Sequence, residues 1–256
     1  MYEDHPCFKL TCPEDSRIWR YMDFTKLVSM LEESALWFTR ADCFEDPFDS
    51  ELPNTVIETM KARWEKTREE AAKMPSPLKE ILTQQAEGGR KFWSEMRQQY
   101  VVNCWHQNEH ESAAMWSLYL KSNEGIAIVS TPNKLIESVR NARYWLSVGS
   151  VEYVDFNNYP PYSNMFIPVL RKRMSFQHEN ELRVVALNVD SDETLSAKPF
   201  ETKGVAVKIA VPQLIDAIYV SPASPGWLPE LVEKITRRFK VTCEVKRSSL
   251  AEKPLW

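Results

Sequence analysis

The chain has 256 residues, 43% of them hydrophobic, which is enough for a sizeable core, and no apolar run long enough to span a bilayer. Its 36 acids and 32 bases are interspersed and sum to −4, so no field is strong enough to draw nucleic acid or an anionic membrane nonspecifically. Five scattered cysteines without a Cys-x-x-Cys pair argue for reduced thiols rather than a disulfide framework, and the segment Tyr2-Glu3-Asp4-His5 has no secretory pattern, so a single cytoplasmic domain over 1–256 is expected.

Arg17–Tyr21 alternates as a short strand, and Asp23 or Thr25 is placed to cap a helix over Lys26–Glu33. Ala35–Thr39 reads as a second strand, followed by an acidic, aromatic loop, Arg40–Asp49, turned by Pro47. From about 56 to 99 the composition shifts to Lys, Glu, Arg, Gln and Met, a helical insertion with breaks at Pro75-Ser76-Pro77 and Gly88-Gly89 and apolar stripes that include Trp64, Leu78 and Ile81. Strand character returns at Tyr100–Trp105, then come a helix over Glu111–Leu120 and strands at Gly125–Ser130, Ser150–Val154, Glu181–Leu187, Gly204–Ile209 and Ala217–Val220. A proline-rich loop covers 159–162, and a helix is expected over Leu228–Phe239. Helices gathered early and strands late give an α+β order: a mixed or antiparallel central sheet with flanking helices and a helical insertion.

Two stretches concentrate chemistry. The first is the strand-to-helix junction at Cys104–Tyr119, where Trp105, His106, Glu109, Glu111, Ser112, Trp116 and Tyr119 crowd together. Glu111, Met115 and Tyr119 share a helical face, so an acid leads an aromatic stripe; the plainer reading has Glu109 and Glu111 favouring the helix N-terminus and the rings filling core. The second is Arg171–Arg183, where period-two spacing puts Glu179, Glu181 and Arg183 on one strand face and Leu182 and Val184 on the other. A solvated, ion-paired edge is the usual explanation of such alternation, but the run into Val184-Val185-Ala186-Leu187 points to a central strand whose charged end opens into a cleft.

Early strands contribute Arg20, Tyr21, Trp37, Thr39 and Asp46. Arg20 is able to clamp a phosphate or carboxylate, or to pair with Asp46. His106-x-x-Glu109-His110 matches an inverted zinc-peptidase motif, but that motif needs both histidines on one helical face, and His106 ends a strand, so no metal is expected. Arg171, Lys172 and Arg173 beside aromatics permit a locally bound nucleic acid.

These blocks in this order resemble an uncharacterised bacterial family, domain of unknown function 2971: Trp19-Arg20-Tyr21, Leu36–Thr39, Phe44–Phe48, Cys104-Trp105 through Glu111-Ser112 and Met115-Trp116 to Tyr119, and Lys172-Arg173 with Phe176, His178, Glu179, Glu181 and Arg183. The order of parts also resembles ADP-ribosyltransferases. That resemblance implies NAD as substrate, Arg20 holding the dinucleotide and Glu181 bonding the nicotinamide ribose, with the family's Ser-Thr element falling on Ser130-Thr131. Within it, Glu181, Glu179 and Glu111 are the candidate catalytic residues; Arg20, Tyr21, Trp37, Thr39, Tyr119, His178 and Arg183 are the candidate NAD-binding ones. The expectation is an NAD-dependent ADP-ribosyltransferase or NAD glycohydrolase of the toxin or defence-effector kind, acting on a protein or nucleic-acid acceptor, with a partner inhibitor or an oligomer left open. A hydrolase or nuclease built on the His/Glu cluster and a non-catalytic nucleotide-binding module are the alternatives.

Overall fold

The computed structural model describes residues 2–160, 164–188 and 198–254. In chain order they form β1 (Ile18–Asp23), α1 (Phe24–Glu33), β2 (Ala35–Arg40), α2 (Asn54–Ala72), α3 (Leu78–Glu95), β3 (Tyr100–Gln107), α4 (Ala113–Tyr119), β4 (Gly125–Ser130), α5 (Pro132–Val139), β5 (Trp145–Ser150), β6 (Glu152–Val154), β7 (Arg171–Arg173), β8 (Glu181–Leu187), β9 (Gly204–Lys208), the single turn α6 (Val211–Leu214), β10 (Ala217–Val220), α7 (Leu228–Arg238) and β11 (Glu244–Arg247). Of the proline-rich loop 159–162, positions 161 and 162 lie outside the described residues.

Nine strands make one mixed, mainly antiparallel sheet with flanking helices, the α+β architecture expected from the element order. β6 and β7 form a separate parallel pair. β8 is central, antiparallel to β3 on one side and to β5 on the other, and all seven of its residues are buried. β4 is likewise buried throughout and reads as a continuous apolar run, whereas β8 carries Glu181 and Arg183 ahead of its apolar end, Val184–Leu187.

Two strands compete for one lane beside β3. β1 pairs with its C-terminal end (Ile18 with Gln107, Trp19 with His106), and β2 pairs with its N-terminal end (Thr39 with Val102, Arg40 with Val101). Opposite residues 103–105 neither strand is registered, so the sheet is split there, and α1 carries the chain from the end of β1 to the start of β2. One face of the sheet holds the main core, where Leu27 and Leu31 of α1, Leu135 of α5, Leu214 of α6 and Val232 of α7 pack with Trp105, Ile128 and Val184. The other face carries two separate apolar clusters, one around Tyr100, Phe166 and Val185, the other around Trp19, Tyr21 and Trp116. Side chains of period two place Cys104, His106, Glu181 and Arg183 on this second face.

The insertion is a helical hairpin of α2 and α3, but α3 runs through Gly88-Gly89 instead of breaking. A Cβ on Gly89 would stand 3.2 Å from the Trp64 indole, so this glycine serves a close helix–helix approach. The apolar stripe is only partly covered, since Leu78 and Ile81 stay exposed. In place of the strand expected at Ser150–Val154 there are two, β5 ending at Ser150 and β6 starting at Glu152. Asp23 does cap α1 by position, but its side chain instead accepts from the Lys121 backbone N–H.

Candidate functional site

The split in the sheet opens into a cavity of about 530 Å³ lined by residues of α1, β1, β2, β3, α4, the 44–49 loop and the 172–183 segment. Backbone groups left without ladder partners by the split are met by side chains. Arg20 Nη1 donates to the Cys104 carbonyl at 2.5 Å, and Asn103 Nδ2 donates to the Trp37 carbonyl at 2.8 Å. Asn103 Oδ1 also accepts from the Trp105 indole N–H at 2.7 Å, which orients the largest ring of the core at the cavity floor. Arg20 has no carboxylate partner among the described residues: its proton affinity is lowered by burial, and the predicted Arg20–Asp46 pair is absent because Asp46 accepts from Arg173 at 2.7 Å. Lys26 of α1 adds an exposed cation at the cavity wall.

Deeper on the second face of the sheet lies a buried ion cluster. Lys172 Nζ is 2.6 Å from Glu181 Oε1, 2.9 Å from Glu179 Oε2 and 3.2 Å from Asp49 Oδ2. Arg183 donates from Nε to Glu181 Oε2 at 2.7 Å and grips Asp49. The solvated-edge explanation of the charged alternation is therefore wrong for this strand. Glu179 is not in the strand either: it closes a 3-10 turn over Met174–Glu179, and Asn180 at φ 37° turns the chain into β8. Its carboxylate nevertheless joins that of Glu181 on Lys172, with Tyr119 donating its hydroxyl to the same oxygen at 3.1 Å.

The two glutamates are pushed in opposite directions. Burial, then the adjoining Glu181 carboxylate, raises Glu179 above the usual carboxylate range. Burial would raise Glu181 too, but Arg183 and Lys172 outweigh it and hold Glu181 well below that range. The pair is thus polarised, with Glu181 favoured as the anion and Glu179 shifted toward its protonated form. Burial lowers His106; its Nδ1 lies 2.6 Å from the Glu179 carbonyl oxygen, which only accepts, so Nδ1 carries the hydrogen and Nε2 presents a lone pair.

Arg20, Tyr21, Trp37, Thr39, Asp46, Trp105, His106, Tyr119, Lys172, Glu179, Glu181 and Arg183 all line this one cavity. Five other candidates do not. Glu111 is held by Ser248, by the Ser249 backbone N–H at 2.8 Å and by the Trp116 indole at 2.9 Å, so it anchors the 248–251 segment. Ser112 caps α4, which starts at Ala113 and not at Glu111; Trp116 packs edge-on against Tyr21, 4.9 Å between ring centres; Glu109 and His178 are exposed. Ser130 donates to the Leu214 carbonyl and Thr131 caps α5, so neither belongs to the cavity. His106 is buried in β3 while His110 is exposed beyond it, which breaks the geometry the zinc motif requires. The basic patch also dissolves: Arg171 pairs with Glu152, Lys172 is buried, and Arg173 lies between the rings of Phe48 and Phe176. Sequence reasoning missed Asp49, Asn103 and Lys26, whose roles depend on long-range partners or on the split.

The split antiparallel sheet thus gathers into one cleft the Arg20 guanidinium, bonded to a backbone carbonyl, and a polarised carboxylate pair, which makes this cleft the candidate site. No family model and no curated protein matches the chain, so the resemblance to domain of unknown function 2971 rests on its own residues. Among solved structures, DarT of Thermus sp. 2.9 in complex with NAD+ is 13% identical, the match covering 95% of this chain and 100% of that one at a TM-score of 0.39. The same protein in complex with ADP-ribosylated single-stranded DNA is 14% identical over 96% and 100%, again at 0.39. Likeness at that score does not bear on function, which is left to the side chains.

Proposed function

We propose that the cavity binds NAD and that the chain is an ADP-ribosyltransferase or NAD glycohydrolase. The observation that carries this reading is the pairing, in one cavity, of Glu181 held below the usual carboxylate range and Glu179 raised above it, with Arg20 given no carboxylate partner among the described residues. A dinucleotide with a negative pyrophosphate and a positive nicotinamide ring complements both ends: Arg20 and Lys26 take the phosphates, and the carboxylates take the ring and its ribose. Trp37 and Tyr119, 54% and 41% exposed, offer faces for stacking.

When the nicotinamide–ribose bond breaks, its electron pair leaves with the neutralised ring and positive charge builds on C1′ and the ring oxygen of the sugar. Glu181, fixed as an anion by Lys172 and Arg183, stabilises that charge without reorganising. A water, or a nucleophile of a protein or nucleic acid, then bonds to C1′, and Glu179 in its ionised form accepts the proton it sheds. The test is nicotinamide release from NAD by the purified protein, beside Glu181→Gln and Trp37→Ala and with a chelator in parallel. Release that Glu181→Gln abolishes while circular dichroism stays native, and that chelation leaves unchanged, is the expected result; neither NAD binding nor nicotinamide release, with or without candidate acceptors, would overturn the reading.

A further inference from the structure

At the inner end of the cavity three carboxylates, Asp49, Glu179 and Glu181, face two cations, Lys172 and Arg183, and all five are buried. With every group ionised the cluster is one negative charge in excess, three against two, and a proton on Glu179, shared with the Glu181 carboxylate, balances it. Among the described residues, the other groups facing Glu179 add no ion pair to the cluster. From α4, Tyr119 supplies a hydroxyl whose own ionisation is suppressed by burial and by Glu179; from β3, His106 has its proton affinity lowered by burial; His178 on the same turn is exposed to solvent; and Arg20 keeps its charge but is bonded to the Cys104 carbonyl and not to any of these carboxylates. A second electron-rich group points the same way: His106, only 8% exposed, has a buried Nε2 without a hydrogen-bond partner among the described residues.

We propose that this end of the cavity is a receptor for a planar cation bearing an N–H or O–H donor, and that the bound cation displaces the proton of Glu179. The inference deepens the NAD reading and rests on it for the identity of the cation, a pyridinium carboxamide. Charge selection follows from the three-against-two count, shape from the faces of Trp37 and Tyr119, and the donor requirement from the His106 lone pair. Displacing the proton also leaves Glu179 ionised, as its role toward the acceptor demands, so substrate binding itself arms the base.

The experiment is calorimetric titration of the full chain with the N-methylpyridinium form of nicotinamide and with neutral nicotinamide, between about pH 5 and about pH 8, in two buffers of different protonation enthalpy. The cation is expected to bind about tenfold or more tightly than its neutral counterpart at the upper end, its affinity rising with pH while that of nicotinamide stays flat. It is also expected to release a proton fraction that grows toward low pH and vanishes in Glu179→Gln. Equal affinity for the two probes, a flat cation profile in the wild type, or release that persists in Glu179→Gln would each overturn the proposal. NAD turnover measured on the same preparations separates the two readings. Turnover without charge selection removes this inference and keeps the enzyme, whereas charge selection without turnover or NAD binding does the reverse.

Discussion

Arg183 and Asp49, 134 positions apart, are joined by two parallel bonds of 2.8 Å each, Nη1 to Oδ1 and Nη2 to Oδ2. The same guanidinium donates to Glu181 and to the Val169 carbonyl, and the Phe44 ring lies over it. The loop that forms one wall of the cavity is therefore positioned by a buried ion pair and not by secondary structure of its own. A carboxylate in that loop and the Glu181 carboxylate share one cation.

Asp49→Ala should destabilise the protein by about 3–5 kcal/mol in urea unfolding, because it removes the bidentate partner of a buried guanidinium and leaves only Glu181 to balance it. The double variant with Arg183→Met should recover much of that loss. Additive losses would show that the two residues are not coupled.

Asn103→Ala should cost about 1–3 kcal/mol for each of the two groups it leaves unpaired, the Trp37 carbonyl and the Trp105 indole N–H. Trp105→Ala should cost about 3–5 kcal/mol, as expected for a ring only 2% exposed. Trp37→Ala should lie within about 0.5 kcal/mol of wild type yet weaken NAD binding, because its ring faces the cavity and solvent. Chemical denaturation paired with ligand titration checks all three.

Glu181→Gln should lower nicotinamide release on the order of a hundredfold or more. Glu111→Gln should leave turnover at the wild-type level and lower the melting temperature, since it only weakens the anchor on Ser248 and Ser249. A loss of kcat in Glu111→Gln with unchanged melting would return that residue to the reaction.

The two glutamates should tilt the stability–pH curve in opposite senses about the ordinary value of 4.5. Glu181, held low by Arg183 and Lys172, contributes stability that is present above 4.5 and lost as pH falls through its folded value. Glu179, held high by burial and by Glu181, contributes stability that is present below 4.5 and lost as pH rises through its folded value. Melting curves at neutral pH should accordingly place Glu179→Gln above wild type and Glu181→Gln below it, with both gaps closing in acid.

Strands buried on both faces were legible, β4 from an unbroken apolar run and β8 from a charged alternation that runs into Val184–Leu187: Gly125–Ser130 and Glu181–Leu187 match β4 and β8 residue for residue. Glu179 was misplaced because the left-handed Asn180 carries no pattern that alternation can detect. Gly88-Gly89 was read as a break because only the helix packed beside it, through Trp64, reveals why glycine stands there. Most candidate site residues converge on one cavity because charge and aromatic density mark them locally. Asp49 and Asn103 escaped because their roles come from register: β1 and β2 each read as ordinary strands, and nothing within either says that they share one neighbour.

That shared neighbour gives α1 a structural office beyond packing. Its ten residues, with Ser34 as the cap, are the covalent link between the two strand ends that flank the gap, so the length of this one helix gauges the aperture. One turn more or less, about 5.4 Å, would rescale the aperture while leaving the carboxylates on β8 and its preceding turn where they are. The width of the opening and the placement of the buried carboxylates are thus encoded in separate stretches of chain.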